Sequence, residues 1–463
     1  MYKKNDELEI AIEDLGSAGE GIGKVDGFTI FVKDTVIGDF VRVKLMKVKK
    51  NYAFARLIEV ITPSENRVMA KCPVARQCGG CQLQSMSYQE QLRFKENKVF
   101  NNIKRIGGIE DFEMMPIIGM EEPYYYRNKA QFPVGINKDG EVIYGFYAGR
   151  THSIIEMSGC MLGIHRDGED ICKRIMAEVV AFMKRNQIKP YDENAHVGLV
   201  RHVLVRIGAG TGQIVVSVII NGNQLPHSEE LVDALSEIQG MTSISININK
   251  EKGNVILGDK VITLFGKEYI EDYIGDVKFR ISPLSFFQVN PAQTEKLYGK
   301  ALEYAALTGN ETVWDLYCGI GSISLFLAKN AKKVIGVEIV EQAIEDAIVN
   351  SKINEIENAE FLVGAAEEVV PNYFEEHKGA PECSPDVIVV DPPRKGCDEA
   401  LLETMVLMAP KRIVYVSCDS ATLARDLKWL SQQGYRLVEV TPCDMFGQTV
   451  HVESVALLVS CEA

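Results

Sequence analysis

The 463-residue sequence has no apolar run approaching the roughly 20 residues that a membrane-spanning helix needs. Its first residues, Met1 to Glu7, have no apolar core, so no signal peptide is expected there and the cytoplasm is the expected location. Internal repeats and low-complexity segments are absent, and at this length two or three ordinary domains are expected. A disulfide framework is not expected in that compartment, so clusters among the eleven cysteines point to metal binding or catalysis. Excess positive charge is also lacking: the net charge of −14, read alone, counts against a nucleic-acid partner. What is present is the balance of a globular protein, 46% hydrophobic and 25% charged.

The charge is unevenly spread. From Val41 to Leu57 stand Arg42, Lys44, Lys47, Lys49, Lys50 and Arg56 with no acid, interleaved with Tyr52 and Phe54. Basic side chains gain affinity from phosphates and exposed aromatics stack on bases, so this stretch reads either as an RNA-binding surface or as a solvated strand face. It lies in a small all-β unit, residues 1–60, with β-rich runs at Glu7–Leu15, Thr29–Val32, Phe40–Lys47 and Ala53–Glu59. Glycines at 16, 19, 21, 23 and 27 read as sharp turns, and a five-stranded barrel is the natural closure.

Beyond the barrel, Cys72, Cys78 and Cys81 fall within ten residues, with Gly79 and Gly80 letting the thiols converge. A fourth ligand must come from afar. Cys160 is the first candidate and Cys172 the second, and four thiolates suit either zinc or an iron–sulfur cluster. Residues 88–106 read as a polar amphipathic helix. Residues 124–281 are mixed, with helices at 168–186 and 228–239 and strands at 199–207, 213–220, 242–248 and 254–266. From 284 onward β and α alternate: strands at 312–317, 333–338, 385–390, 412–417, 435–441 and 452–459, and helices at 322–329, 341–352 and 420–432. That rhythm predicts a mostly parallel sheet covered on both faces.

In Asp315-Leu316-Tyr317-Cys318-Gly319-Ile320-Gly321 the glycines allow close approach of a ligand, and Glu338 ends the next strand 17 residues past Gly321, where a ribose-binding acid falls. Ser324 stands where a third small residue of the full motif would be. S-adenosylmethionine, a dinucleotide and a purely structural loop all remain open on these residues. A second apolar strand ends in Asp391-Pro392-Pro393-Arg394, and a third in Cys418. Enzymes methylating amino groups carry an aromatic residue where Arg394 stands, and RNA cytosine-C5 enzymes carry a cysteine where the prolines stand; uracil C5 is left. That carbon is a poor nucleophile until a thiolate adds at C6, so a cysteine is the side chain the chemistry needs. Cys418 is therefore expected to have a lowered pKa, tuned by Asp391 and by the helix starting near Ser420. The base that removes the C5 proton should come from the segment before the last strand, as Glu453 or His451, with a capping role for Glu453 the plain alternative.

Taken together these motifs resemble the S-adenosylmethionine-dependent RNA 5-methyluridine methyltransferases, specifically the ribosomal uracil-C5 branch, over nearly the whole chain. Tyr125-Tyr126-Arg127-Asn128-Lys129 and Ser285-Phe286-Phe287-Gln288-Val289-Asn290 add to the match. The resemblance implies three parts: an N-terminal TRAM barrel, OB-like and RNA-binding (1–60); a mixed α+β central iron–sulfur domain (61–283, with 95–123 packing on the catalytic part); and a Rossmann-like α/β methyltransferase domain (284–463). It implies Gln288, Tyr317, Gly319, Glu338 and Asp391 as cofactor-binding residues, Cys418 as nucleophile and Glu453 as base. Cys72, Cys78, Cys81 and Cys160 become ligands of a [4Fe-4S] cluster, and Arg127 and Lys129, with Arg201 and Arg206, become RNA contacts. Asp419-Ser420 departs from the asparagine-proline that many relatives carry after the nucleophile. Because the transfer-RNA branch usually lacks barrel and cluster, large-subunit ribosomal RNA is the expected partner, with the uridine flipped out of its stack. No obligate protein partner is expected. Transfer RNA is the alternative substrate, and a non-catalytic RNA-binding maturation factor the alternative class.

Overall fold

The computed structural model describes residues 2–149, 151–157, 159–166 and 168–461. The first unit is a six-segment sheet: β1 (Glu7–Ala11), β2 (Asp14–Leu15), β3 (Gly21–Val25), β4 (Phe28–Val32), β5 (Phe40–Val48) and β6 (Tyr52–Thr62), in the order β1-β5-β6-β4-β3-β2. β1 and β2 are two halves of one bent run. One half pairs with β5, the other with β3, and the Glu13 N–H donates to the Ile22 carbonyl (2.8 Å). The sheet thereby closes as a five-run barrel around Ile10, Ile30, Val41, Val43 and Leu45. One expectation is corrected: residues 21–25 are a strand, not a run of turns. Gly21 and Gly23 serve close strand approach, since a Cβ would lie 2.0 Å from Thr35 Oγ1 at the first and 2.4 Å from the Ala11 carbonyl oxygen at the second.

After the cysteine segment, α1 (Tyr88–Asn102) runs into a π-helical turn, Ile103–Gly107, and a short strand β7 (Glu113–Met114). A seven-stranded sheet follows. It is built from β8 (Lys129–Ile136), β9 (Val142–Tyr147) and β10 (Ile154–Glu156), then β13 (Val200–Ile207), β14 (Ile214–Ile220), β15 (Met241–Ile248) and β16 (Lys260–Gly266), in the order β10-β9-β8-β13-β14-β15-β16. The small ladder of β11 (His165–Arg166) and β12 (Glu169–Asp170) leads into α2 (Ile171–Arg185), capped by Asp170, and α3 (Ser228–Ser236) lies between β14 and β15. Ile175, Val179 and Phe182 of α2 and Leu231 and Leu235 of α3 bury one face of this sheet. The expected strand at 254–266 begins only at Lys260. A hairpin, β17 (Ile270–Ile274) and β18 (Val277–Ile281), packs Phe279 against Leu297 of α4 (Pro291–Ala305).

The last unit alternates strand and helix: β19 (Thr312–Leu316), α5 (Ser322–Ala328), β20 (Lys333–Glu338), α6 (Glu341–Ile353), β21 (Ala359–Val363), α7 (Ala366–Glu376), β22 (Val387–Val390), α8 (Glu399–Leu407), β23 (Arg412–Ser417), α9 (Ser420–Gln432), β24 (Tyr435–Cys443) and β25 (Glu453–Ser460). The sheet order is β21-β20-β19-β22-β23-β25-β24-β7, parallel from β21 to β23, with β25 antiparallel between β23 and β24. Strand order reverses between β19 and β22, and the carboxyl ends of these strands open the crevice where such sheets bind ligands. α1 closes one flank, burying Val99 and Ile103 against Leu423 and Leu427 of α9. Among the described residues no helix is long and apolar enough to cross a membrane.

Candidate active site

Six loops at the carboxyl edge of the sheet line a cavity of about 630 Å³. Gln288, Tyr317, Gly319, Glu338, Asp391, Cys418 and Glu453 all line it, so the residues expected to bind cofactor and to react are brought to one place. The turn after β19 is shaped by three positive φ angles, at Tyr317 (69°), Gly319 (55°) and Gly321 (79°). A Cβ at Gly319 would meet nothing within 4 Å, whereas at Gly321 it would lie 3.2 Å from Ala347 and Phe361. The first glycine thus opens toward the cavity and the second lets the turn pack closely on α6 and β21. Glu338 Oε2 accepts the Gly319 N–H (3.1 Å) and Oε1 accepts the Val340 N–H (3.1 Å), tying the acid to both rims of the crevice. Beneath the turn, Ser324 donates to buried Asp315 (2.5 Å), whose carboxyl is pushed up to about 7 by burial.

The reactive end of the cavity is acidic. Burial pushes Glu453 up to about 8, with Asp391 adding to the rise and Arg394 opposing it. Asp391 is pushed up to about 6 by burial. Burial also pushes the Cys418 thiol up to about 11, with Glu453 and Asp391 adding and Arg394 pulling down. This corrects the expected lowered thiol. Asp419 caps α9, its carboxylate accepting the Ala421 (2.9 Å) and Thr422 (3.2 Å) N–H groups, so a carboxylate shares the helix N-terminus beside the thiol. Asp391, expected to assist the thiolate, opposes it. His451, the rival base, lines the same cavity and is held toward its neutral form by burial and by Arg394. Two further lining residues gave no motif in the sequence: Phe446, on the loop before β25, and Tyr298 of α4, whose hydroxyl lies 3.1 Å from Ser322 Oγ.

A second cavity, of about 290 Å³, is lined by Cys72, Cys78, Cys81 and Cys160. Burial pushes Cys81 up to about 12 and Cys160 up to about 11. Cys172, in the first turn of α2, is instead packed in the core between that helix and its sheet. Among the described residues, no three His, Cys, Asp or Glu side chains form a group that could hold a metal ion. Arg127 and Lys129 line this second cavity rather than the first, Lys129 pushed down to about 8 by burial and by the neighbouring Arg206 and Arg127. The Arg127 guanidinium also lies 6.0 Å from the Phe446 ring centre. Arg201 and Arg206 are not surface contacts. Both are buried, donating to the carbonyls of Asn249 (3.0 Å) and Glu251 (2.7 Å), and of Ser282 (3.2 Å) and Ser285 (2.9 Å). Their charge is spent on loop carbonyls, where a long side chain with several donors replaces water.

A doubly wound sheet whose switch-point crevice holds a ribose-type acid, a thiol and a buried carboxylate defines a nucleotide-cofactor-dependent group-transfer enzyme. The profile of the family described as tRNA (Uracil-5-)-methyltransferase matches residues 88–461, and that of the TRAM domain matches residues 3–58. An uncharacterized RNA methyltransferase of Clostridium tetani is 50% identical over 457 residues, covering 98% of this chain and 97% of its own length. One from Listeria monocytogenes serovar 1/2a is 48% identical over 458 residues, covering 99% and 98%. The crystal structure of the Pyrococcus abyssi tRNA (uracil-54, C5)-methyltransferase in complex with S-adenosyl-L-homocysteine superposes with a TM-score of 0.75 at 29% identity, over 97% of this chain and 99% of that one. The chain belongs to the tRNA (Uracil-5-)-methyltransferase family, preceded by a TRAM domain, and is an S-adenosylmethionine-dependent RNA uracil-C5 methyltransferase. Cys72, Cys78 and Cys81 lie between the two matched segments. The Pyrococcus enzyme, named for transfer RNA, covers 97% of this chain, so overall architecture does not by itself separate the two substrates.

Proposed function

We propose that this enzyme methylates C5 of a uridine in large-subunit ribosomal RNA, with Cys418 as nucleophile and Glu453 as base. The observation that carries the chemistry is the convergence of Cys418, Glu453, Asp391, Glu338 and Gln288 on one cavity. Gln288, Tyr317, Gly319, Glu338 and Asp391 would hold S-adenosylmethionine. Glu338 suits ribose hydroxyls, and the open face at Gly319 leaves room for the ligand against the backbone. S-adenosylmethionine supplies an electrophilic methyl group. The chain's own residues do the rest. Cys418 loses its proton to solvent and forms an S–C6 bond, and the C5–C6 π electrons move toward C5 and the C4 carbonyl. After C5 is alkylated, the Glu453 carboxylate takes the C5 proton, the C5–C6 double bond re-forms and the S–C6 bond breaks, releasing the thiolate. Arg394, which favours the charged form of both Cys418 and Glu453, offsets the acidic surroundings.

In this reading residues 1–60 grip RNA in the cytoplasm through the basic strands and the Phe31, Tyr52 and Phe54 rings, packed 5.5–5.8 Å apart. Residues 61–283 carry a [4Fe-4S] cluster and residues 284–463 the chemistry. Four thiols lining one cavity of about 290 Å³ suit a [4Fe-4S] cluster. Arg127 and Lys129, at the cysteine cavity, would contact RNA on the side of Phe446. The ribosomal substrate is supported by the TRAM barrel occurring together with four cysteines that converge on one cavity. Transfer RNA is the second reading, favoured by the Pyrococcus likeness. Nucleoside mass spectrometry on unmodified large-subunit rRNA and tRNA, each incubated with enzyme and S-adenosylmethionine, separates them. 5-Methyluridine in rRNA alone is the expected result, its appearance in tRNA alone would move the substrate, and none in either would overturn the reaction.

A further inference from the structure

α1 turns polar residues inward where a helix covering a sheet would turn leucines, with Gln91 and Lys95 buried and Tyr88, Lys98 and Asn102 half-buried. Tyr88, Gln91, Lys95, Lys98 and Asn102 follow one another at intervals of three and four, so they form a single stripe about 21 Å long. Each one reaches a loop of the active site. Tyr88 donates to Asp444 Oδ2 (2.8 Å), and Lys95 donates to Asp444 Oδ1 (2.5 Å) and to the Phe446 carbonyl (3.0 Å). Gln91 and Gln448 exchange two hydrogen bonds of 3.0 Å, side-chain amide to side-chain amide and to backbone. Lys98 donates to the Val450 carbonyl (3.0 Å) and Asn102 to Ser420 Oγ (2.8 Å). The contacts of the first four residues fall on residues 444–450, the loop that carries Phe446 and leads to His451 and Glu453. The last falls two residues after Cys418.

The loop itself is tied at almost every carbonyl. Gln293 reaches that of Asp444 (3.1 Å), Asn290 that of Met445 (3.1 Å), Tyr126 that of Gly447 (3.1 Å), and the N–H groups of Gln82 and Leu83 that of Gln448 (3.0 Å each). Gln448 holds a φ of 68°, a left-handed conformation that a non-glycine residue keeps only when its surroundings impose it. Burying such polar groups stabilises a fold less than apolar packing of the same volume would. We propose that the polar stripe of α1 is a positioning element that holds the loop bearing Glu453 in register with the turn bearing Cys418. Lys98 and Asn102 are its positioning residues at the reactive end. The proposal rests on the assignment of those two catalytic residues.

The test uses the full-length enzyme carrying Asn102→Ala, Lys98→Met, Lys98→Arg or Ser420→Ala. Expected results are a kcat about tenfold lower for Asn102→Ala and Lys98→Met, with KM for both substrates and the melting temperature unchanged. Lys98→Arg should recover most of the loss, and Asn102→Ala combined with Ser420→Ala should be no slower than Asn102→Ala alone. A native kcat in both single variants would overturn the proposal. So would a loss that tracks the melting temperature, or a rise confined to the KM for RNA, which would make Lys98 a phosphate contact. Cys418→Ala is the control: full methylation by that variant would sink the catalytic assignment, whereas its inactivity beside native Lys98 and Asn102 variants would sink only the stripe.

Discussion

The Lys95 ammonium lies 2.5 Å from the Asp444 carboxylate, and neither side chain is exposed to solvent. Removing one partner leaves an unpaired charge in the interior, at a cost of about 3–5 kcal/mol. Lys95→Met should therefore lower the unfolding free energy by about that much in urea titrations, and adding Asp444→Asn should return part of it. A Lys95→Met protein as stable as the native one would mean that the pair is dispensable.

Glu453→Gln should form the bond between Cys418 and RNA but fail to resolve it, because loss of the C5 proton precedes release. A protein–RNA band surviving denaturing electrophoresis is the expected observation. The same band should vanish in Cys418→Ala, whose methylation rate falls below about one-thousandth of the native one. Turnover by Glu453→Gln with no such band would transfer the base role to His451.

The pH dependence follows from the rise of Glu453 to about 8. A base acts in its ionised form, so the single-turnover rate of adduct resolution should climb with pH through about 8 and level off above it. Stability runs the other way. The folded state holds the proton more tightly than the unfolded chain, so this group's contribution is fully present below its ordinary pKa and is lost as pH rises through about 8. Glu453→Gln should flatten that loss in melting curves taken from pH 5 to 9. An unchanged slope would place the titration elsewhere.

The cysteine cavity separates two neighbours in sequence. Cys160 lines it, whereas Cys172 is buried in the core from the first turn of α2. Anaerobically purified Cys160→Ser should lose most of its iron and its visible absorption, while Cys172→Ser should keep about four iron atoms per chain. Zinc in the native protein, or equal iron in both variants, would overturn the cluster assignment.

Much of the catalytic site was legible because strand ends of a parallel sheet share one edge. Glu338, Asp391 and Cys418 each close an apolar run, so topology alone brings them to one crevice. What depended on tertiary neighbours was not legible. Gly21 and Gly23 carry the composition of turns, yet only the positions of Thr35 and Ala11 show that they serve strand contact. α1 reads only as a polar amphipathic helix because its lysines are indistinguishable in sequence from solvated ones until Asp444 and the loop carbonyls are set beside them. The direction of the thiol shift was missed for a similar reason: burial, and the carboxyl groups of Glu453 and Asp391 that the fold sets beside it, raise the thiol. β21 went unread as a half-exposed edge strand, and α7 contains Pro371, a residue that weakens any helical pattern.

At Gly19, in the loop joining β2 and β3, a Cβ would lie 2.7 Å from Gln82 and 3.2 Å from Val450. Leu15 and Val36 of the barrel share one apolar cluster with Leu83, Met86, Phe94 and Val450. Such a module cannot be exchanged like a tag on a tether. Grafting a foreign barrel onto this enzyme to redirect it to another RNA would strip Val450 of its packing and loosen the reaction loop, so recognition and turnover would have to be re-engineered together.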